Sequence, residues 1–242
     1  MTEVEIRQGQ NIIDIYFDGF ASCLIIKKAL AVNWPDCRGS VGEYYSISNY
    51  SVEERNAYTA TLNNVLAKGN DLEQIDAVKP FLNLFANGKY SINKFIAKVE
   101  ELEFLGSNQV VYSDYVPVNE RFFGRFFSNW KGKYSPIIYS ITNDKINSDR
   151  VEFYCQLIEK GYRPTVVTFE VFNVLSSEYS RSYVLDGHHK IQAYLKLKKD
   201  IPIINILKSE ECVNKTERLL HFSKSILKDF EYKHLFENSE NL

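Results

Sequence analysis

Apolar and polar positions alternate over Asn11 to Phe17 and again over Cys23 to Val32, a period of two that predicts paired strands. Asp18-Gly19 lies between them, and glycine's access to positive φ suits it to a turn, so this stretch reads as a hairpin. Trp34 to Asn49 shows no period. Behind it, Ser51 and Glu54 have the N-cap and N3 spacing of a capping box, and Tyr58, Leu62, Val65 and Leu66 recur at helical spacing. A second helical run covers Leu72 to Phe85 with Pro80 as a break, because proline lacks the N–H that a helix interior needs. Ile92, Phe95, Ile96, Val99 and Leu102 form a third stripe, closed by Gly106, which predicts a third helix. Residues 1–117 are therefore expected to be a mixed, mainly helical region with a small hairpin, bounded near the irregular segment 113–119.

From Lys133 the pattern changes to alternating strands and helices. Pro136 to Ile141 predicts a strand, and Asp149 and Glu152 stand at capping-box spacing before a helix with Val151, Tyr154, Cys155 and Ile158 on its apolar face and Gly161 at its end. Thr165 to Val174 is β-branched and aromatic and predicts a strand; Ser176 to Ser180 follows as a turn. Ser182 to Leu185 is then a return strand, His189 to Leu197 a helix and Ile201 to Leu207 a buried strand. Thr216 to Phe230 predicts a last helix, and 237–242 a polar tail. The expected fold class is α+β, with a helical first region, an α/β domain over 118–209, and a C-terminal helix and tail over 210–242.

Composition bounds the function. With 242 residues, 45% hydrophobic and 25% charged, the chain is that of a globular protein with room for two small domains. A net charge of −2 argues against a surface built to neutralise nucleic-acid phosphates, although a local basic patch stays open. The start Met1-Thr2-Glu3-Val4-Glu5 has no basic flank and apolar core, and no apolar run reaches about 18 residues, so a cytoplasmic protein with no membrane contact is expected. Cys23, Cys37, Cys155 and Cys212 are scattered without zinc or dithiol spacing and read as reduced thiols.

Candidate chemistry concentrates at Asp186-Gly187-His188-His189-Lys190, where a strand is expected to stop and a helix to start. The first N–H groups of a helix have no intrahelical partner and lie at the positive end of its dipole, so an anion such as phosphate fits there. His188, His189 and Lys190 would add donors, and Asp186 could hold a metal ion, orient a histidine or act as a base. The plainer alternative is a strand-Gly-helix turn without ligand, with Asp186 capping the helix and Lys190 a solvated charge. Adjacent histidines on a helix diverge by about 100°, which argues against chelation by the pair alone.

The run Tyr183-Val184-Leu185-Asp186-Gly187-His188-His189-Lys190-Ile191-Gln192-Ala193-Tyr194, followed by the strand from Ile201, resembles the second conserved box of ParB/sulfiredoxin-like domains. The helix Val151 to Lys160, Gly161 and the strand from Pro164 resemble the first box, so the resemblance covers about 134–207. It implies a ParB/sulfiredoxin-like α/β domain whose glycine turn and basic residues, here Gly187, His188, His189 and Lys190, bind nucleotide phosphates. Family members include partition proteins, sulfiredoxins, nucleases and a kinase for free serine. His188 stands where sulfiredoxins need cysteine, which removes their thiol chemistry. The charged Glu-Arg-Arg type turn of partition proteins and their helix-turn-helix region are not seen. The turn is most similar to the Asp-Gly-His-x-Arg form of the kinase-like branch, with Lys190 in place of arginine, which weakens bidentate phosphate contact.

A second contributor is the stretch from Glu120 to Lys133, where basic residues interleave with aromatics. Arg121 and Arg125, four apart, would share one helical face and contact the nucleotide; alternatively the rings belong to the core and the charges to solvent. Glu120 has no supporting motif as a base.

The leading expectation is thus a nucleotide- or phosphate-binding protein, a phosphotransferase or nucleotide hydrolase, with Asp186, His188 and His189 as catalytic residues. ATP, ADP or CTP and Mg2+, the metal held by Asp186, would be its cofactors. The alternatives are a non-catalytic regulatory protein that binds a protein partner through its first region and, against the acidic net charge, a nuclease or DNA-binding protein.

Overall fold

The computed structural model describes residues 1–17, 22–26, 51–99, 102–105, 125–128, 137–138, 146–171 and 182–209. The chain is an α+β protein with a mixed sheet. Its strands are β1 (Thr2–Ile6), β2 (Ile13–Phe17), β3 (Ser22–Ile26), β4 (Gly88–Ala97), β5 (Leu102–Leu105), β6 (Arg125–Ser128), β7 (Ile137–Ile138), β8 (Val166–Val171), β9 (Ser182–Asp186) and β10 (Ile201–Lys208). The described helices are α1 (Val52–Lys68), α2 (Asp71–Val78), α3 (Ser148–Glu159) and α4 (His188–Leu197), with a 3-10 turn, Lys79–Leu84, after α2. The main sheet has the order β1-β4-β10-β8-β9-β7-β6-β5, and β2 and β3 form the expected hairpin apart from it.

Period-two alternation gives the central strands two apolar faces. Val167 and Phe169 of β8, Tyr183 and Leu185 of β9, and Ile204 and Ile206 of β10 point to one core, which α1, α2 and the 3-10 turn close with Leu62, Leu66, Val78, Phe81 and Leu82. Val166, Val184, Ile201 and Ile203 face the other, closed by Tyr154, Leu157 and Ile158 of α3 and Ile191 and Tyr194 of α4. Aromatic packing shows in Phe85, whose ring lies edge-on to Phe169 at 4.6 Å and Tyr90 at 5.7 Å. The first core thus draws residues from both sides of residue 118, and the segment 113–119 lies outside the described residues.

Several local expectations are met for the stated reasons. Ser51 and Glu54 form both arms of the capping box, at 3.0 and 3.2 Å. Pro80 stands at the start of the 3-10 turn, where its missing N–H does no harm.

Others are corrected. The stripe from Ile92 to Leu102 is not a helix: residues 88–97 are β4, antiparallel to β1 and β10, and Leu102 begins β5. Pairing on both edges outweighed the helical spacing, and Ile96 of that stripe is 39% exposed. Among its described residues the first region is accordingly less helical than expected, and it contributes β1 and β4 to the sheet. Helix α3 is capped by Asn147, whose side chain accepts the Arg150 N–H at 3.0 Å, rather than by an Asp149–Glu152 box; Glu152 instead takes Lys196 Nζ at 2.9 Å. The turns at 18–19 and 176–180, the cap at Gly106, the helix over 216–230 and the tail lie outside the described residues.

Candidate functional site

The turn that joins β9 to α4 depends on Gly187. Its φ of 109° lies in the left-handed region, and a Cβ there would stand 3.0 Å from Val166 Cγ2 and 3.1 Å from Val166 Cα. Gly187 is itself the N-cap, so α4 starts without a side-chain cap, whereas α1, α2 and α3 are capped by Ser51, Asn70 and Asn147. Asp186 is therefore not a helix cap.

The Asp186 carboxylate turns to Lys190 instead. Lys190 Nζ, one helical turn on, donates to Asp186 Oδ2 at 2.5 Å and to the Thr165 carbonyl at 2.9 Å, and lies 5.8 Å from the centre of the Tyr154 ring. At 1% exposure Lys190 is no solvated surface charge. The pair ties β9 to α4, the Thr165 bond ties both to the segment entering β8, and removing either charge would leave the other buried without compensation.

The two histidines diverge, as their adjacency predicts. His189 Nε2 accepts the backbone N–H of Asn147 at 3.1 Å and so holds the start of α3. A nitrogen that accepts is unprotonated, which puts the proton of a neutral His189 on Nδ1. His188 is buried, and burial first, then the electrostatic influence of the adjacent His189, pushes its pKa down from 6.5 to about 3. It is neutral near pH 7 and holds no proton there that titrates in the range a general acid needs.

The described residues of the turn do not by themselves make a magnesium site in this arrangement. Asp186 is the nearest carboxylate to the turn in sequence, Lys190 already neutralises it, and no group of three or more His, Cys, Asp or Glu suited to a metal occurs among the described residues. Arg121 and Glu120 lie outside the described residues, and Arg125 belongs to β6, paired with β5 and β7, so the helical face expected to carry Arg121 and Arg125 does not exist at Arg125. A strand forms there because Phe104 and Ile137 offer partners to Phe126 on both edges.

Two polar arrangements escaped the sequence. Gln74, at 1% exposure, accepts Thr165 Oγ1 at 2.8 Å and Lys94 Nζ at 2.6 Å on its side-chain oxygen, so hydrogen bonds run from Asp186 through Lys190, Thr165 and Gln74 to Lys94. On the α3–α4 face of the sheet, Asn205 Nδ2 at 2.7 Å and Ser182 Oγ at 3.1 Å donate to Glu170 Oε2, and Thr168 Oγ1 donates to Asn205 Oδ1 at 2.8 Å. Polar residues within otherwise apolar strands were the available signal for this strip. Cys155 is a buried thiol whose pKa burial raises, which lowers its thiolate fraction.

No described helix is long and apolar enough to cross a membrane. No family model matches the chain, and neither a curated protein nor a solved structure is significantly similar to it.

Proposed function

We propose that the chain binds a phosphate-bearing small molecule, most simply a nucleotide such as ATP, ADP or CTP, at the start of α4, in a domain of ParB/sulfiredoxin-like character. The observation that carries this reading is the start of α4 itself, a ten-residue helix without a side-chain cap behind a glycine that admits no side chain. Phosphate at that place would meet backbone N–H groups and the positive end of the helix dipole. Lys190 serves the turn's shape, through Asp186 and Thr165, rather than reaching the ligand directly. Because Asp186 to Lys190 are all buried, the ligand binds an opened form of the turn, and its apparent affinity is reduced by the fraction open.

The same geometry favours binding over turnover. His188 is neutral, His189 is engaged with Asn147, and Asp186 is engaged with Lys190, so the three residues do not form an acid-base set. This favours the second reading as well, a non-catalytic regulatory protein whose turn is purely structural. Thermal melting with ATP, ADP, CTP and GTP, with and without Mg2+, separates the two. A ligand that binds only the folded state raises the melting temperature by mass action. A shift with any nucleotide supports the phosphate site; no shift with all four moves the reading to the regulatory protein.

A further inference from the structure

A cleft of about 390 Å³ opens where α1 ends and α2 begins, and none of its lining residues belongs to α4. Its walls come from Lys68 to Asp71 and Gln74, from Lys94 to Ile96 of β4, from the turn Gly161 to Arg163 after α3, and from Pro202 at the start of β10. That volume falls in the range of small-molecule sites, about 300–1,000 Å³.

Charge decides what it would take. Lys68, Lys94 and Arg163 line the cleft against a single carboxylate, Asp71. Each cation is held differently. Lys94 is fixed by Asp71 at 2.5 Å and by the buried Gln74 at 2.6 Å, which leaves one of its three N–H donors. Lys68 Nζ stands 5.7 Å from the centre of the Tyr162 ring, a cation–π contact that keeps it along the wall. Arg163 is exposed, and no hydrogen bond or ion pair of its guanidinium occurs among the described residues. Tyr162 and Ile96, at 40% and 39% exposure, give the rim apolar surface. A fixed ammonium, a ring-held ammonium and a free guanidinium fork around one concavity suit a small molecule with at least two anionic groups, since guanidinium pairs with carboxylate or phosphate in a bidentate way.

We infer that this cleft is a binding site for a small polyanion, bearing phosphate or carboxylate groups, with Arg163, Lys68 and Lys94 as its contacts. Asp71 opposes the ligand and sets its affinity. The site is separate from the proposed nucleotide site and stands or falls independently of it.

Isothermal titration of the full chain with pyrophosphate and with citrate, at low and at physiological salt, tests the inference. Saturable one-to-one binding is expected for at least one of them, weakened about tenfold or more in Arg163→Ala/Lys68→Ala through loss of charge-assisted contacts, and tightened in Asp71→Asn. Binding of pyrophosphate alone identifies a phosphate ligand, and of citrate alone a carboxylate ligand. Absence of saturable binding to both overturns the inference, as does binding that Arg163→Ala/Lys68→Ala leaves unchanged, which would put the anion elsewhere, including the first turn of α4. If the double variant melts early, Arg163→Gln, a single exposed change, is read by the same criteria.

Discussion

The first turn of α4 and the cleft beside α2 border the same segment, Arg163 to Val166, yet treat their basic residues in opposite ways. At the turn Lys190 is buried at 1% exposure and engaged by Asp186 and Thr165. In the cleft Lys68 and Arg163 are exposed and only Lys94 is tied down. A lysine in the first kind of place holds structure together; in the second it is available to a ligand. Thr165 touches both systems, its carbonyl accepting Lys190 and its hydroxyl donating to Gln74. A basic residue next to a glycine turn therefore says little about function until its burial is known.

The contrast can be broken most forcefully at Lys190. Lys190→Ala leaves Asp186 buried beside an unfilled space, and a loss of about 3–5 kcal/mol in urea-unfolding stability is expected. A loss under about 1 kcal/mol would show that the pair is not an internal lock. Gly187→Ala comes next, with about 2 kcal/mol or more from the left-handed φ and the approach to Val166, read in the same titration.

Acidity gives a third, graded effect. His188 has a folded pKa of about 3, below its ordinary 6.5, so between those values the unfolded chain holds a proton that the folded chain refuses. Its contribution is intact above pH 6.5 and is lost as pH falls toward 3, at roughly 1.4 kcal/mol per pH unit. His188→Gln should flatten the acid limb of stability against pH by about one proton; an unchanged slope would mean that His188 already takes up its proton in the folded protein. The smallest effect belongs to the cleft. Lys68→Ala and Arg163→Ala, both exposed, should change ligand-free stability by no more than about 0.5 kcal/mol, whereas a larger loss would assign them a structural role.

Legibility in the sequence followed the range of the interactions. The strand, glycine and helix of the turn were readable because each is set within a few residues, by an apolar run ending at Asp186 and a glycine that only a tight turn requires. Strand β4 lacks a strand's signature in the sequence because both faces are covered over Tyr90, Ser91 and Ile92, which are buried in succession and lose the alternation that marks a strand. The spacing between Asp186 and Lys190 was visible as i, i+4, but the burial that makes the pair a lock comes from Thr165 and Tyr154, far off in sequence. The Gln74–Thr165 bond joins residues 91 apart, and neither residue type marks the other. The four-residue spacing of Arg121 and Arg125 suits a helix, whereas the strands that pair with Arg125, β5 and β7, lie elsewhere in the sequence.

Phosphate binding at the start of α4 can be read from the backbone amide resonances of His188, His189 and Lys190 in an isotope-labelled sample titrated with ADP. Saturating shifts at these three amides, kept in Arg163→Ala/Lys68→Ala, are the predicted result. Shifts confined to residues around Arg163, or none at any amide of the turn, would contradict it.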